Sequence, residues 1–227
     1  MNSEETVQQP EQNNIYLVDK PLDRTSFDMV ALFRREFNQK KIGHSGTLDP
    51  RATGLLILCS GKKTKMINDF INYDKEYNGI IRIGATTPTF DTESEEENIV
   101  SVESITDEMI EEARKKFFGE IVQIPPMHSA VKHKGQPLYK MARKGEVIER
   151  KPRNVTVTEL TLKRLSETEL YFNISCSKGT YIRTLANDIG ETLGVGGYLK
   201  TLQRTRIGEY KLEDFKDEIK GVKYKKL

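Results

Sequence analysis

One loop gathers the side chains best suited to chemistry, and it runs from Lys41 to Gly54 as KIGHSGTLDPRATG. Its glycines permit backbone conformations that other residues avoid, and Pro50 fixes the chain directly after Asp49. A carboxylate held on such a rigid elbow can act as a nucleophile. Because an Asp-Pro pair beside Thr is also typical of an ordinary turn, the loop by itself leaves both interpretations open.

Other chemistries can be tested on the spacing of their motifs. A Walker loop needs GxxxxGK followed by Ser or Thr, whereas six residues separate Gly54 from Gly61 and Lys62 precedes a second lysine. The GHSG run lacks the last glycine of an esterase GxSxG elbow. The three histidines of the chain lack the spacing of metal ligands. The sequence therefore implies neither a cofactor nor a metal ion.

The elements that must position this loop follow from hydrophobic periodicity. Strands are predicted over residues 15–18, 55–59, 77–84, 155–165 and 170–176. Ser26 is predicted to cap one helix, and residues 181–193 form a second, amphipathic helix closed by Gly194. Because the strands occur in runs rather than in strict alternation with helices, the sequence predicts an α+β fold with a largely antiparallel mixed sheet.

The order of charged residues says more than their sum. The 36 basic and 34 acidic residues leave a formal net charge of +2. Ten acidic residues and no Lys or Arg lie between Asp91 and Ala113, whereas eight bases and two glutamates lie between Lys132 and Arg153. Such segregation fits a polyanion-binding face with an acidic back, and it equally fits solvated charged loops.

The composition limits the class of protein. Hydrophobic residues make up 36% of the 227 residues, which is enough to close a core at this length. No run approaches the roughly 20 apolar residues of a membrane span, and the N-terminus lacks the features of a secretory signal. The two cysteines lie far apart and exclude a disulfide framework. We therefore expect a soluble, cytoplasmic protein with no membrane partner.

Several motifs occur along the chain in the order of one known family. They are DKP at 19–21, GHSGTLDPRATGLLIL at 43–58, KEY at 75–77, GATT at 84–87 with Asp91, PPMHSAVK at 125–132 and SKGTYIR at 177–183. Together they resemble the TruB-type tRNA pseudouridine-55 synthases over roughly residues 15–207. The resemblance implies the pseudouridine synthase fold, a largely antiparallel mixed sheet flanked by helices and loops.

The resemblance also implies the reaction and its residues. Enzymes of this family isomerise a uridine in the T-loop of tRNA to pseudouridine, with neither cofactor nor metal. By resemblance Asp49 is the catalytic carboxylate, Arg183 is the cation that keeps it ionised, and Tyr77 is the aromatic residue that stacks on the flipped uracil. The expected partner is the T-stem-loop of tRNA, bound by a monomer.

Further residues match substrate-binding positions of the family. His44 is expected to fill the space that the flipped base vacates. The other matches are Lys20, Tyr181, Leu202 and Lys132. Lys20 corresponds to a buried lysine beneath the active-site loops, and Leu202 to an apolar pocket wall, although Leu199 is a second candidate for that wall. The basic stretch within residues 125–153 corresponds to a mobile thumb that closes over RNA.

These matches divide the chain into three parts. We expect a flexible N-terminal tail at 1–14, a catalytic domain at 15–210 and a short basic C-terminal tail at 211–227, with no RNA-binding PUA module. The alternative function is a non-catalytic RNA-binding or RNA-folding protein with a vestigial site. The intact set of Asp49, Tyr77 and Arg183 argues against it, because a binding protein has no need of a nucleophile paired with a buried arginine.

Overall fold

A computed structural model describes residues 13–129, 131–133, 135–142 and 144–227. The predicted N-terminal tail therefore lies outside the described residues except for its last two. Of these, Asn14 is not free of the domain, because its backbone N–H donates to the Ser60 hydroxyl at 3.0 Å. Asn13 accepts a hydrogen bond from the backbone N–H of Lys62 at 2.6 Å.

Strands dominate the described part of the chain. They are β1 (Ile15–Lys20), β2 (Ile42–His44), β3 (Ala52–Ser60), β4 (Lys75–Ile83), β5 (Gly119–Gln123), β6 (Lys132–His133), β7 (Gln136–Pro137), β8 (Arg153–Arg164), β9 (Glu169–Cys176), β10 (Gly197–Ile207), β11 (Tyr210–Lys211), β12 (Asp217–Ile219) and β13 (Val222–Lys226). The helices are α1 (Ser26–Glu36), α2 (Ile67–Asn72), α3 (Asp107–Lys116), α4 (Leu138–Ala142) and α5 (Ile182–Thr192), with a 3₁₀ helix at Gly61–Met66.

Eleven of these strands form one sheet in the order β12-β13-β1-β3-β10-β4-β9-β8-β5, with β2 attached to β3 and β11 attached to β10. The pairing of β3 with β10 is parallel, and the other pairings of this sheet are antiparallel. The short β6 and β7 pair separately. The predicted α+β fold with a largely antiparallel mixed sheet is confirmed.

The C-terminal residues differ from their prediction as a tail. Val222–Lys226 form β13, which pairs with β1 in the main sheet, and the backbone N–H of Leu227 donates to Ile15 O at 3.0 Å. Val222 is buried and Tyr224 packs on the core beneath α1. The boundary expected at residue 210 is therefore wrong, because the strand after it completes the sheet.

Helix α5 brings its first residues close to the sheet. Ile182, Leu185, Ala186 and Ile189 are buried on one face, as the amphipathic pattern predicts. At Gly190 the helix packs directly on the backbone before β10, since a Cβ there would lie 2.2 Å from a backbone atom. The last turn of α5 is thereby held against the start of β10. No helix in the described ranges is long and apolar enough to cross a membrane.

Helix α1 begins one residue earlier than its predicted cap implies. Thr25, not Ser26, is the N-cap: its hydroxyl accepts from the Asp28 N–H at 3.0 Å, and the Asp28 carboxylate accepts from the Thr25 N–H at 2.7 Å. This reciprocal capping box satisfies two donors at the helix start. The Ser26 side chain is therefore available for another contact.

Candidate active site

A cavity of about 280 Å³ opens where the 46–49 loop, β4, α5 and β10 meet. This volume lies near the lower end of the range for small-molecule pockets and suits one nucleoside. Among its lining residues are Asp49, Tyr77, Tyr181, Arg183 and Leu202. Four separate parts of the sequence are thus brought to one place.

A buried lysine supports the loop that carries Asp49. The Lys20 ammonium donates to the carbonyls of Pro21 at 2.9 Å, Arg24 at 2.6 Å and Pro50 at 3.4 Å. Burial lowers the pKa of Lys20 to about 8. Lys20 is fully buried and does not line the cavity. Its contact with the Pro50 carbonyl supports the loop directly after Asp49.

Ser26 fixes the same loop from the side. Its hydroxyl accepts from the Leu48 N–H at 2.8 Å and donates to the Leu48 carbonyl at 3.2 Å, and both groups are buried. Leu48 itself packs in the main core. The residue directly before Asp49 is therefore held through its backbone and its side chain.

Arg183 lies between two carboxylates. Its Nε is 2.9 Å from Asp49 Oδ2, and its Nη1 is 3.4 Å from Asp91 Oδ2. Nη1 also donates to the Thr89 carbonyl at 3.1 Å, and Nη2 donates to the His128 carbonyl at 2.7 Å. Because four partners surround the planar guanidinium, only one orientation satisfies its donors.

Asp49 is the carboxylate that faces the opening of the cavity. Its side chain is 37% exposed, against 6% for Arg183 and 5% for Asp91. Desolvation by the surrounding protein raises the pKa of Asp49 and the charge of Asp91 adds to this effect, whereas Arg183 and Lys20 lower it. Arg183 therefore opposes the rise in pKa without cancelling it.

Tyr77 and Leu202 line the cavity from two neighbouring strands. Tyr77 lies on β4, half-buried, and burial raises the pKa of its hydroxyl while the nearby Arg204 lowers it. Leu202 lies on the neighbouring β10 with 9% exposure. Leu199, the other candidate for the apolar wall, is not among the residues that line this cavity.

Tyr181 is positioned through its backbone. The Gln123 side chain donates to the Tyr181 carbonyl at 3.2 Å and accepts from its N–H at 3.0 Å. Gln123 is buried, so this pair of bonds fixes the residue directly before α5. The Arg153 guanidinium lies 5.5 Å from the centre of the Tyr181 ring, a cation–π contact at the edge of the cavity.

Among the described side chains, His44 is a second predicted residue, after Lys20, that does not line the cavity. His44 is half-buried at the end of β2, and its Nδ1 has no hydrogen-bond partner among the described residues. Burial lowers the pKa of His44, which favours the neutral ring. Lys132 lies in β6, and its side chain is outside the described part of the structure.

Sequence reasoning missed two polar groups of the site. Asp91 follows the GATT motif and also lies in the acidic block, and neither pattern indicates its role. Its side chain is buried, with the residue 3% exposed, and it contacts Arg183. Ser129 lines the cavity with a buried hydroxyl that has no partner among the described residues.

Within the described residues, no three His, Cys, Asp or Glu side chains are grouped to hold a metal ion.

Comparison with solved structures places this fold in a class. The chain is similar to a solved pseudouridylate synthase, with a TM-score of 0.50 and 15% identity over 96% of this chain and 71% of that one. It is more similar to a chain in the crystal structure of a Cbf5-Nop10-Gar1 complex, with a TM-score of 0.70 and 29% identity. That match covers 89% of this chain but only 51% of the other, so this chain spans about half its length. The fold is that of the pseudouridine synthases.

Comparison of sequences identifies one family within this class. Residues 34–182 match the N-terminal domain of the TruB family pseudouridylate synthases, and residues 183–221 match the tRNA pseudouridylate synthase B C-terminal domain. A relative called tRNA pseudouridine synthase B, from Chlorobaculum tepidum, is 50% identical over 209 residues, which are 90% of this chain and 87% of the relative. The chain belongs to the TruB family of pseudouridylate synthases.

Proposed function

We propose that this protein is a tRNA pseudouridine synthase that converts uridine 55 in the T-loop to pseudouridine, with Asp49 as the reacting carboxylate. The observation that carries the proposal is the Asp49–Arg183 pair of 2.9 Å at a nucleoside-sized cavity. Family membership and a relative named tRNA pseudouridine synthase B support the same substrate.

The reaction rearranges one nucleoside without adding or removing atoms. The C1′–N1 bond breaks, the uracil turns, and a C1′–C5 bond forms, while C5 loses a proton and N1 gains one. The Asp49 carboxylate either attacks C1′ or takes a proton from the ribose. Both routes require the ionised form, and Arg183 is the group that favours it against desolvation.

The cavity wall suits the other requirements of the reaction. Tyr77 offers an aromatic face to the flipped uracil, and Leu202 keeps water from the free base between bond cleavage and bond formation. Ser129 offers a hydroxyl without a protein partner among the described residues, so a polar group of the nucleoside can bind it. His44, neutral and beside the catalytic loop, is the group that replaces the flipped base in the stack.

The proposed partner is tRNA, bound by a monomer through its T-stem-loop in the cytoplasm. We call residues 125–153 the basic segment, and Lys140, Lys144 and Lys151 in it are exposed. Such lysines contact phosphates without reading sequence, so selection rests on the shape of the loop. Arg153, beside Tyr181, adds a further positive charge at the edge of the cavity.

The test is incubation with an unmodified tRNA transcript followed by site-resolved mapping of pseudouridine. We expect product at the T-loop uridine and none in a matched transcript that carries cytidine at that position. RNA that is bound but not converted would reject the proposal and favour a non-catalytic RNA-binding protein. Product at another site would reject the substrate assignment while keeping the isomerase.

A further inference from the structure

A second arginine, Arg204, lies beside the cavity. Arg204, on β10, lines the cavity, is 1% exposed and is the largest fully buried side chain of the described residues. Unlike Arg183, it makes no ion pair in the described part of the chain; its hydrogen-bond acceptors there are two backbone carbonyls and the Tyr77 hydroxyl, all uncharged. A buried cation without a carboxylate is unfavourable unless its donors are satisfied in another way.

The donors of Arg204 reach three separate elements. Nε donates to the Leu55 carbonyl on β3 at 2.7 Å, and Nη2 is 3.4 Å from the Gly46 carbonyl in the catalytic loop. The third partner is the Tyr77 hydroxyl: burial raises its pKa, and the charge of Arg204 and a hydrogen bond from the Arg204 side chain oppose that rise. Arg204 and Tyr77 are direct partners in the antiparallel pairing of β10 with β4.

The backbone is arranged to admit this side chain. Gly54 on β3 is the parallel partner of Arg204, and a Cβ at Gly54 would lie 2.4 Å from the Arg204 carbonyl oxygen. Its φ of +99° is also one that favours glycine. The register of β10 shifts between Arg204 and Arg206, so Arg204 occupies an irregular position of the strand. The close approach of β3 and β10 thus depends on the glycine.

We propose that Arg204 is a positioning residue for the isomerisation, holding the Tyr77 hydroxyl and the Gly46 carbonyl in one fixed arrangement around Asp49. The inference rests on the proposed function and deepens it. Arg204 acts on the reaction through Tyr77 and the loop. A lysine has the same charge, but its single ammonium does not reproduce the planar fork that reaches both groups.

The first experiment compares Arg204→Lys with the wild type in single-turnover conversion of tRNA. We expect the rate to fall about 100-fold, the loss associated with a small misplacement of reacting groups. The tRNA Kd should change by less than about twofold, because no phosphate contact is removed. The matched control is Arg206→Lys on the same strand, since Arg206 pairs with Glu76 and does not line the cavity. Its rate should stay within about twofold of the wild type.

A double-mutant cycle with Tyr77→Phe distinguishes an effect of Arg204 on the Tyr77 hydroxyl from a general loss of structure. If Arg204 acts through the Tyr77 hydroxyl, Arg204→Lys should reduce the rate of the Tyr77→Phe protein by only a few-fold. An equal loss in both backgrounds would overturn the proposal. So would a wild-type rate in Arg204→Lys, or a loss of tRNA affinity as large as the loss of rate.

A structural readout distinguishes failure of this inference from failure of the proposed function. If the wild type makes no pseudouridine, the proposed function fails, and the crystal structure of Arg204→Lys still tests the positioning claim. We expect the Tyr77 ring and the Gly46 carbonyl to move relative to Asp49 in that structure. Unchanged positions of both groups would overturn it.

Discussion

The two sides of the cavity are built in different ways. On the loop side, the ammonium of Lys20, the hydroxyl of Ser26 and the guanidinium of Arg204 hold the backbone next to Asp49 from buried positions. On the other side, the basic segment contains two strands of two residues and a helix of five, with exposed lysines. One side is ordered by buried polar contacts, and the other offers charge to solvent.

Because of this difference, we expect the two sides to contribute separately to the rate of the reaction and to the affinity for tRNA. Reacting groups that are held before the substrate arrives need no reorganisation during the reaction. Exposed lysines contribute attraction to phosphates that does not depend on one geometry. Changes on the loop side should therefore reduce the rate at saturating tRNA, and changes in the basic segment should reduce affinity.

Among the variants that leave Asp49 in place, the largest loss is expected for Arg183→Met. The rate should fall by about 1,000-fold, and the free energy of unfolding by about 3–5 kcal/mol, because Asp91 is left buried without its cation. Single-turnover kinetics and denaturant unfolding measure the two effects. Arg183→Lys, which can meet one carboxylate but not both, should recover part of each. A wild-type rate in Arg183→Met would mean that Asp49 does not depend on this pair.

The opposite side is tested by replacing three exposed lysines, Lys140, Lys144 and Lys151, with alanine. The Kd for tRNA should rise about tenfold, and the slope of log Kd against log salt should fall by about one for each lost phosphate contact. The rate at saturating tRNA should stay the same. A control that removes the same charge from Lys115, Lys116 and Lys163, which lie on α3 and β8 outside the basic segment, should leave the slope unchanged. An unchanged slope in the first variant would remove the basic segment from the binding surface.

On the loop side, Asp91→Asn tests how the charge of Asp91 affects Asp49. The asparagine keeps an oxygen for the Thr89 hydroxyl and the Glu93 N–H but loses the negative charge that raises the pKa of Asp49. The pKa of Asp49 should therefore fall, and the acidic limb of the pH–rate profile should move to lower pH. The rate at neutral pH should fall about tenfold, because Arg183 loses one anchor. A limb that moves to higher pH would contradict the arrangement.

The smallest expected difference is between two neighbouring hydroxyls. Ser26→Ala should lower the free energy of unfolding by about 1–3 kcal/mol and the rate several-fold, because the buried Leu48 N–H loses its acceptor. Thr25→Ala should cost about 1 kcal/mol through the lost helix cap and leave the rate unchanged. Thermal unfolding and single-turnover kinetics check both variants. Equal rates in the two variants would show that Ser26 does not support the catalytic loop.

Local patterns predicted much of the fold. The apolar run at 55–59 lies in β3, the alternation at 77–84 corresponds to β4, and the amphipathic stretch at 181–193 corresponds to α5. The missed β13 had a signal of its own, because buried Val222 and half-buried Tyr224 alternate with lysines. The density of lysine obscured that period of two.

The site was less accessible to prediction, because its contacts join distant parts of the chain. The order of motifs indicated Asp49, Tyr77 and Arg183, which do share the cavity. Asp91 accompanied a family motif and lay in the acidic block without an assigned role, and its contact with Arg183 supplies one. Burial of Arg204 becomes visible only when β3 and β4 flank β10, since no local pattern marks a charged residue as buried.

The most direct measurement compares Asp49→Asn with the wild type on the same unmodified tRNA, recording both Kd and the single-turnover formation of pseudouridine. We expect no detectable product from the variant and a Kd within about twofold of the wild-type value, because the carboxylate carries the reaction and the basic segment carries the binding. Measurable product at the T-loop uridine would contradict this account. So would a variant that loses both tRNA binding and product formation.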